Sequence, residues 1–222
     1  MEKRLTRKNS LVALGGLAAA AAGWRTDDAG AGPAAVASGA VTCVLTPEMT
    51  EGPYYVPDEA FRKNITEGLP GTPLALHLTV VNASTCRAIA GAKVDVWHAN
   101  ALGVYSGVQG NTGTFMRGIQ PTNAHGLALF ETVYPGWYTG RAVHIHIKVH
   151  LGGNVVHTGQ LFFPDSLTDR VYTRSPYSSR PARDTRNATD AIFRNGGSRS
   201  TLKVSRSGSG YVGAIALGVH RT

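Results

Sequence analysis

The sequence predicts an all-β protein, a single-domain β-sandwich with short helical and loop excursions, and three observations predict it. Apolar residues come in short β-branched and aromatic runs of strand length. Gly, Pro and Asn punctuate those runs at the spacing of sheet turns. No repeat period divides the 222 residues, whose 42% hydrophobic content suits one core.

Taken in order, Leu74 to Val81 lies between Pro73 and Asn82, and Ala92 to His98 follows Gly91. Gly126 to Val133 comes next. Val143 to His150 runs up to a Gly152-Gly153 pair, and Val155 to Phe163 stops at Pro164. Thr201 to Ser205 and Tyr211 to Val219 flank Arg206-Ser-Gly-Ser-Gly210, read as a hairpin, and Thr185 to Arg194 is read as a short helix.

Residues 1–40 are set apart as an export signal and flexible spacer, with 41–222 as the β-sandwich domain. Lys3, Arg4, Arg7 and Lys8 precede an apolar run from Leu11 to Ala22. That run is shorter than the roughly 20 residues that cross a bilayer, so no membrane span is expected, but it suits export. Small residues fit cleavage near Ala37 or Ala40. Thr6-Arg-Lys-Asn-Ser-Leu-Val12 is similar to a twin-arginine signal with lysine in the second place, so the route is Sec or Tat. Asp27 to Ala40, rich in Ala and Gly, reads as spacer. A secreted or extracytoplasmic chain meets oxidising conditions, so its only two cysteines, Cys43 and Cys86, are predicted to form a disulfide. On the loop-entropy model that bridge contributes about 4 kcal/mol.

The net charge is +8, and residues 1–37 hold five Lys/Arg against three Asp/Glu, which leaves +6 for the remainder. The arginines from Arg170 to Arg206 are scattered among Ser, Pro and Asp without an aromatic platform, so nucleic acid is not the expected partner. A basic surface also attracts anionic aromatic substrates, which predicts a salt-sensitive specificity constant.

Chemistry concentrates in Tyr138-Thr-Gly-Arg-Ala-Val-His-Ile-His146. On a strand, side chains alternate, so His144 and His146 share one face while Val143, Ile145, Ile147 and Val149 share the other. Imidazoles one strand repeat apart can converge on a single metal ion. A lone His-x-His is more often a structural pair on a solvated face. Here Val94-Asp-Val-Trp-His-Ala-Asn-Ala-Leu-Gly-Val-Tyr105 supplies a second tyrosine, and Arg141 stands three residues before His144. Two Tyr, two His and one Arg make a candidate metal site.

Three blocks together give a specific resemblance across most of residues 43–165. They are Thr50-Glu-Gly-Pro-Tyr-Tyr55, then Gly91 to Gly107, then Thr114-Phe-Met-Arg-Gly-Ile-Gln120 running on through Tyr134-Pro-Gly-Trp-Tyr138 to His146. With these blocks the chain resembles the intradiol ring-cleavage dioxygenases, the non-haem iron(III) enzymes that include protocatechuate 3,4-dioxygenase and catechol 1,2-dioxygenase. The resemblance implies an iron(III) cofactor held by Tyr105, Tyr138, His144 and His146, with Tyr138 the ligand that leaves as substrate arrives. It places Arg141 and Gln160 beside the metal and Gly52, Pro53 and Tyr54 along the substrate pocket. It also implies a reaction: dioxygen cleaves a catechol between its two hydroxyl-bearing carbons to give a muconate-type diacid.

The residue types suit that task. A phenol of pKa near 10 binds as an anion only where a strong Lewis acid displaces its proton, and ferric iron does so. A fixed cation beside the ring, here Arg141, favours the accompanying charge redistribution.

Gln160 poses a problem of register. A plain hairpin turning at Gly152-Gly153 pairs Gln160 with Ile145 and points it to the aliphatic face. A bulge or an odd-length loop between His150 and Gln160 is therefore predicted, and a regular two- or four-residue turn there counts against Gln160 as a site residue. Trp97, Trp137 and Phe130 are read as core or pocket wall. His98 is read as a satisfied structural histidine, and His77, His125, His150, His157 and His220 likewise.

Two alternatives stand against the enzyme. One is an exported metal-free β-sandwich binding module for small ligands or carbohydrate, which has no need of four convergent ligands. The other is a copper or zinc enzyme using the histidine pair, which two tyrosines disfavour. The chain also lacks, before its second block, the long helical segment that forms the dimer linker of cytoplasmic catechol 1,2-dioxygenases. Oligomeric state is left open.

Overall fold

Residues 44–57 and 59–220 are described by the computed structural model. Leu74, Leu76, Leu78 and Val80 are buried while the residues between them are half-exposed, and this alternation makes Pro73–Asn82 strand β1. The strand is interior to a four-stranded sheet of order β4-β1-β8-β7. β4 (Leu127–Val133) pairs with it antiparallel and β8 (Gly210–Val219) parallel, while β7 (Lys203–Ser207) forms a hairpin with β8. A parallel pair needs a long connection. Here the whole second sheet lies between β1 and β8 in sequence.

The second sheet has the order β3-β2-β5-β6, with β2 at Lys93–Trp97, β3 at Arg117–Pro121, β5 at His144–Leu151 and β6 at Asn154–Phe162. All its pairs are antiparallel. Leu74, Leu76 and Leu78 from one sheet share a single core with Val94, Val96, Ile145, Ile147, Val149 and Leu161 from the other. Each such side chain contributes roughly 1.5–3 kcal/mol by leaving water. The other face of the second sheet is also closed off, since Asp95, Trp97, His144, His146, Lys148 and Gln160 are all buried there. Loops and the segment around residues 48–55 cover it.

The β5–β6 hairpin settles the register of Gln160. Its turn is the regular two-residue kind, with Gly152 and Gly153 at φ 57° and 90°, and Leu151 faces Asn154 across it. The pairing then slips: His150 faces Val155 but Val149 faces His157, so Val156 is an extra residue. This bulge brings Gln160 opposite His146 rather than Ile145.

Seven strands fall close to the segments expected, and three features do not. β3 was not anticipated, because Arg117-Gly-Ile-Gln-Pro121 carries both Gly and Pro and becomes a strand only through its pairing with β2. A helix, α1 (Asp165–Tyr172), follows Pro164 and buries Leu167, Thr168 and Val171. The helix expected over Thr185 to Arg194 shrinks to one α-turn at Ala191–Arg194, preceded by a 3-10 turn at Asn187–Thr189. Asp190 explains this: its side chain accepts from the amides of Ile192 and Phe193, which starts the helix there. The last strands also run closer to their turn, Ser207 facing Gly210 with Gly208 at φ 54°.

Among the described residues no helix is long and apolar enough to cross a membrane. The predicted export signal, and Cys43 of the predicted Cys43–Cys86 pair, lie outside the described residues.

Candidate metal centre

β5 delivers the two imidazoles. His144 and His146 share the outward face, with their Nε2 atoms 3.0 Å apart. His144 Nδ1 lies 2.6 Å from the Ala142 carbonyl, so Nδ1 carries the proton and Nε2 presents its lone pair to the cluster. His146 is held differently. Its ring stacks on Trp97 at 4.9 Å and 9°, and its buried Nδ1 has no hydrogen-bond partner among the described residues.

The two phenols arrive from loops. Tyr138 Oη lies 3.1 Å from His144 Nε2. Tyr105, only 3% exposed, sets its ring 5.6 Å from that of Tyr138 and 6.2 Å from that of His146. Its hydroxyl is buried and unpartnered among the described residues. Burial pushes both phenols above their usual range, helped at Tyr105 by the neighbouring Tyr138. Burial and the Arg141 charge push His144 down to about 3, and burial with His144 beside it pushes His146 well below the usual range. The imidazoles are therefore neutral lone-pair donors.

This donor set fits a cation. Among the described residues no three His, Cys, Asp or Glu side chains group to hold a metal, so any third and fourth ligands are the phenols. Two lone-pair nitrogens, one phenol oxygen in contact with them and a second left orphaned are costly to bury unless something positive sits between them. A hard trivalent ion suits two oxygens that ionise on binding.

Arg141 flanks the cluster. Its Nη1 is 3.5 Å from both Tyr138 Oη and His144 Nε2. Its Nη2 donates to Gln160 Oε1 at 2.5 Å, and its Nε donates to Asp190 Oδ2 at 2.9 Å. Gln160 Nε2 donates in turn to the Thr50 carbonyl at 2.9 Å. The bulge therefore brings Gln160 to the residues it was expected to meet.

The segment from Thr50 to Tyr55 is strapped over the same face. Glu51 forms an ion pair with Lys148, which lies over the Tyr55 ring at 3.6 Å. Tyr55 donates to Asp95 at 3.0 Å, and burial pushes the Asp95 carboxyl up to about 6. Gly52 has φ 72°, and a Cβ placed there would stand 3.2 Å from His146 Cε1. Glycine is needed on both counts. Tyr54 packs its ring 4.7 Å from Tyr105 and accepts from Gln109 at 3.1 Å. Pro53 is exposed in the turn between them.

Sequence reasoning missed Asp190, the stacking role of Trp97 and the Lys148–Glu51 clasp. A signal existed for Lys148 alone, which continues the alternation of His144 and His146. His98 is satisfied as expected, 2.8 Å from both the Ala99 carbonyl and Thr132 Oγ1, whereas the Nε2 atoms of His150 and His157, expected to be satisfied likewise, have no hydrogen-bond partner among the described residues.

No protein-family model matches the chain. An intradiol ring-cleavage dioxygenase of known structure from Tetranychus urticae is 35% identical, with a TM-score of 0.77, over 80% of this chain and 95% of its own. The dioxygenase domain of a dioxygenase carbohydrate-binding protein fusion from the cellulolytic bacterium Streptomyces sp. SirexAA-E is 32% identical, with a TM-score of 0.62, over 80% of this chain and 99% of its own. Chlorocatechol 1,2-dioxygenase of Pseudomonas putida is 29% identical over 139 residues, 51% of this chain and 52% of that protein. The chain spans about half the length, or less, of the curated relatives it matches.

Proposed function

The chain belongs to the intradiol ring-cleavage dioxygenases, and on that premise we propose that it uses non-haem iron(III) to cleave catechols between their two hydroxyl-bearing carbons. Dioxygen adds both atoms to the product, a muconate-type diacid, and no separate reductant is consumed. The observation that carries this reading is the meeting of Tyr138 Oη, His144 Nε2 and His146 Nε2 at 3.0–3.1 Å beside the orphaned Tyr105 hydroxyl.

Tyr105, Tyr138, His144 and His146 would hold the ion. Ferric iron, when bound, supplies the Lewis acidity that lets phenols and catechols bind as anions near neutral pH. Ala142 fixes the tautomer of His144, and Trp97 fixes the plane of His146. Tyr105 is sealed in while Tyr138 is only part-buried, so Tyr138 is the phenol that gives way to an incoming catechol. A catecholate and the Tyr138 phenolate are both anionic oxygen donors, so the donor set would carry nearly the same charge with either. The Tyr138 oxygen is placed to take a substrate hydroxyl proton, and Arg141 Nη1 steadies the negative charge that develops beside it. The strap from Thr50 to Tyr55 keeps bulk water from the site.

The test is oxygen uptake with a panel of substituted catechols, with the product weighed after reaction under labelled dioxygen. Two labelled oxygens in a ring-opened diacid are expected, from a protein tinted red by phenolate-to-iron charge transfer. A colourless, iron-free protein that takes up no oxygen would refute the reading. We further propose that residues 1–40 direct export and that Cys43 pairs with Cys86. Mass analysis of the exported chain before and after reduction tests both.

A further inference from the structure

The Asp190 carboxylate is 1% exposed and accepts four hydrogen bonds, divided evenly between its oxygens. Oδ1 accepts from the amides of Ile192 and Phe193 at 2.7 and 3.1 Å, which caps the helical turn Ala191–Arg194. Oδ2 accepts from Arg141 Nε at 2.9 Å and from the Ala142 amide at 2.8 Å. Ala142 is also the residue whose carbonyl sets the His144 tautomer. One buried anion thus grips Arg141 from behind and the backbone between Arg141 and His144.

We propose that Asp190 is a positioning residue for ring cleavage, acting through Arg141. The guanidinium has three working edges. Nη1 faces Tyr138 and His144, Nη2 faces Gln160, and Nε is the edge left for an anchor. A charge-assisted bond at Nε, from a carboxylate itself locked by the helical cap, fixes the plane of the fork and so the direction of Nη1. Without it Arg141 keeps only neutral side-chain partners, Gln160 at 2.5 Å and Tyr138 and His144 at 3.5 Å. The C-terminal segment beyond the catalytic loops is then a structural part of the active site. This rests on the ring-cleavage reading.

The test separates the cap from the anchor. In D190T the threonine hydroxyl still caps Ile192 and Phe193 but cannot reach Arg141. We expect kcat/KM for catechol to fall roughly 10- to 100-fold, the loss usual for partners one shell out from a metal site, with iron content retained and a lower thermal midpoint, since the Ala142 amide loses its acceptor. In an R141A background the same change is expected to cost much less, leaving only the share carried by the Ala142 amide. The visible charge-transfer band should move to longer wavelength in D190T, and further in R141A, because the cation beside the Tyr138 phenolate is no longer held there in one and is absent in the other. Wild-type kcat/KM in D190T, or an equal loss with and without Arg141, overturns the proposal. A second arm needs no turnover. In metal-free protein with labelled arginine, the Arg141 Nε–H should exchange slowly in the parent chain and fast in D190T, and fast exchange in the parent also overturns it. An inactive, colourless parent would instead count against the ring-cleavage reading itself.

Discussion

Acid should destabilise this protein through a histidine far from any chemistry. His157 is 1% exposed, with its Nδ1 3.8 Å from the exposed Glu48 carboxylate and its Nε2 beside Gly159, whose ideal Cβ would stand 2.6 Å away. That nitrogen has no hydrogen-bond partner among the described residues. Burial lowers the ring from its ordinary value of 6.5 to about 4. Folded protein therefore refuses a proton that the unfolded chain accepts below pH 6.5, so stability falls as pH drops from 6.5 and stops falling below about 4. At ~1.4 kcal/mol per unit the total is about 3 kcal/mol. His157→Leu removes this share and leaves every other titrating group in place. Urea unfolding from pH 7 to pH 4.5, in parent and variant, should show the variant's slope with pH reduced by roughly 1.4 kcal/mol per unit. Parallel slopes would refute the reasoning whatever the absolute stabilities.

Two further outcomes follow from the site. Gly52→Ala forces a side chain into left-handed backbone, at about 1–2 kcal/mol, and against His146. Loss of iron affinity in a competition with chelator should exceed the change in global stability, and equal effects would deny the contact. Trp97→Leu removes the plane that orients His146, and iron binding should weaken roughly 10- to 100-fold, whereas Trp97→Phe should recover most of it. Unaltered binding in the leucine variant would show that the stack does not position the ring.

The recovery of the fold from sequence follows how local each feature is. β1 was plain because Leu74, Leu76, Leu78 and Val80 alternate with half-exposed residues, a pattern that pleating alone creates. β3 was invisible because its five residues hold a Gly and a Pro and owe their conformation to β2. The predicted helix over Thr185 to Arg194 was too long because the sequence shows a helical composition but not where the cap acts. Gln160 was the informative case. Parity along a hairpin counted against it, and the required irregularity could be predicted, but its location at Val156 is a matter of packing between two strands.

By itself the sequence determined that His144 and His146 share a face and that Ile145 and Ile147 oppose them, a consequence of strand period and so local. That Tyr105, Tyr138 and Arg141 go with them is what the resemblance of three separate blocks implies. Only the tertiary structure decided that Trp97 faces His146, that Lys148 and Glu51 clasp the strap, and that Asp190 reaches back 49 residues to hold Arg141. Such contacts join segments that no periodicity relates, and they form only when two sheets and their covering loops close on one core.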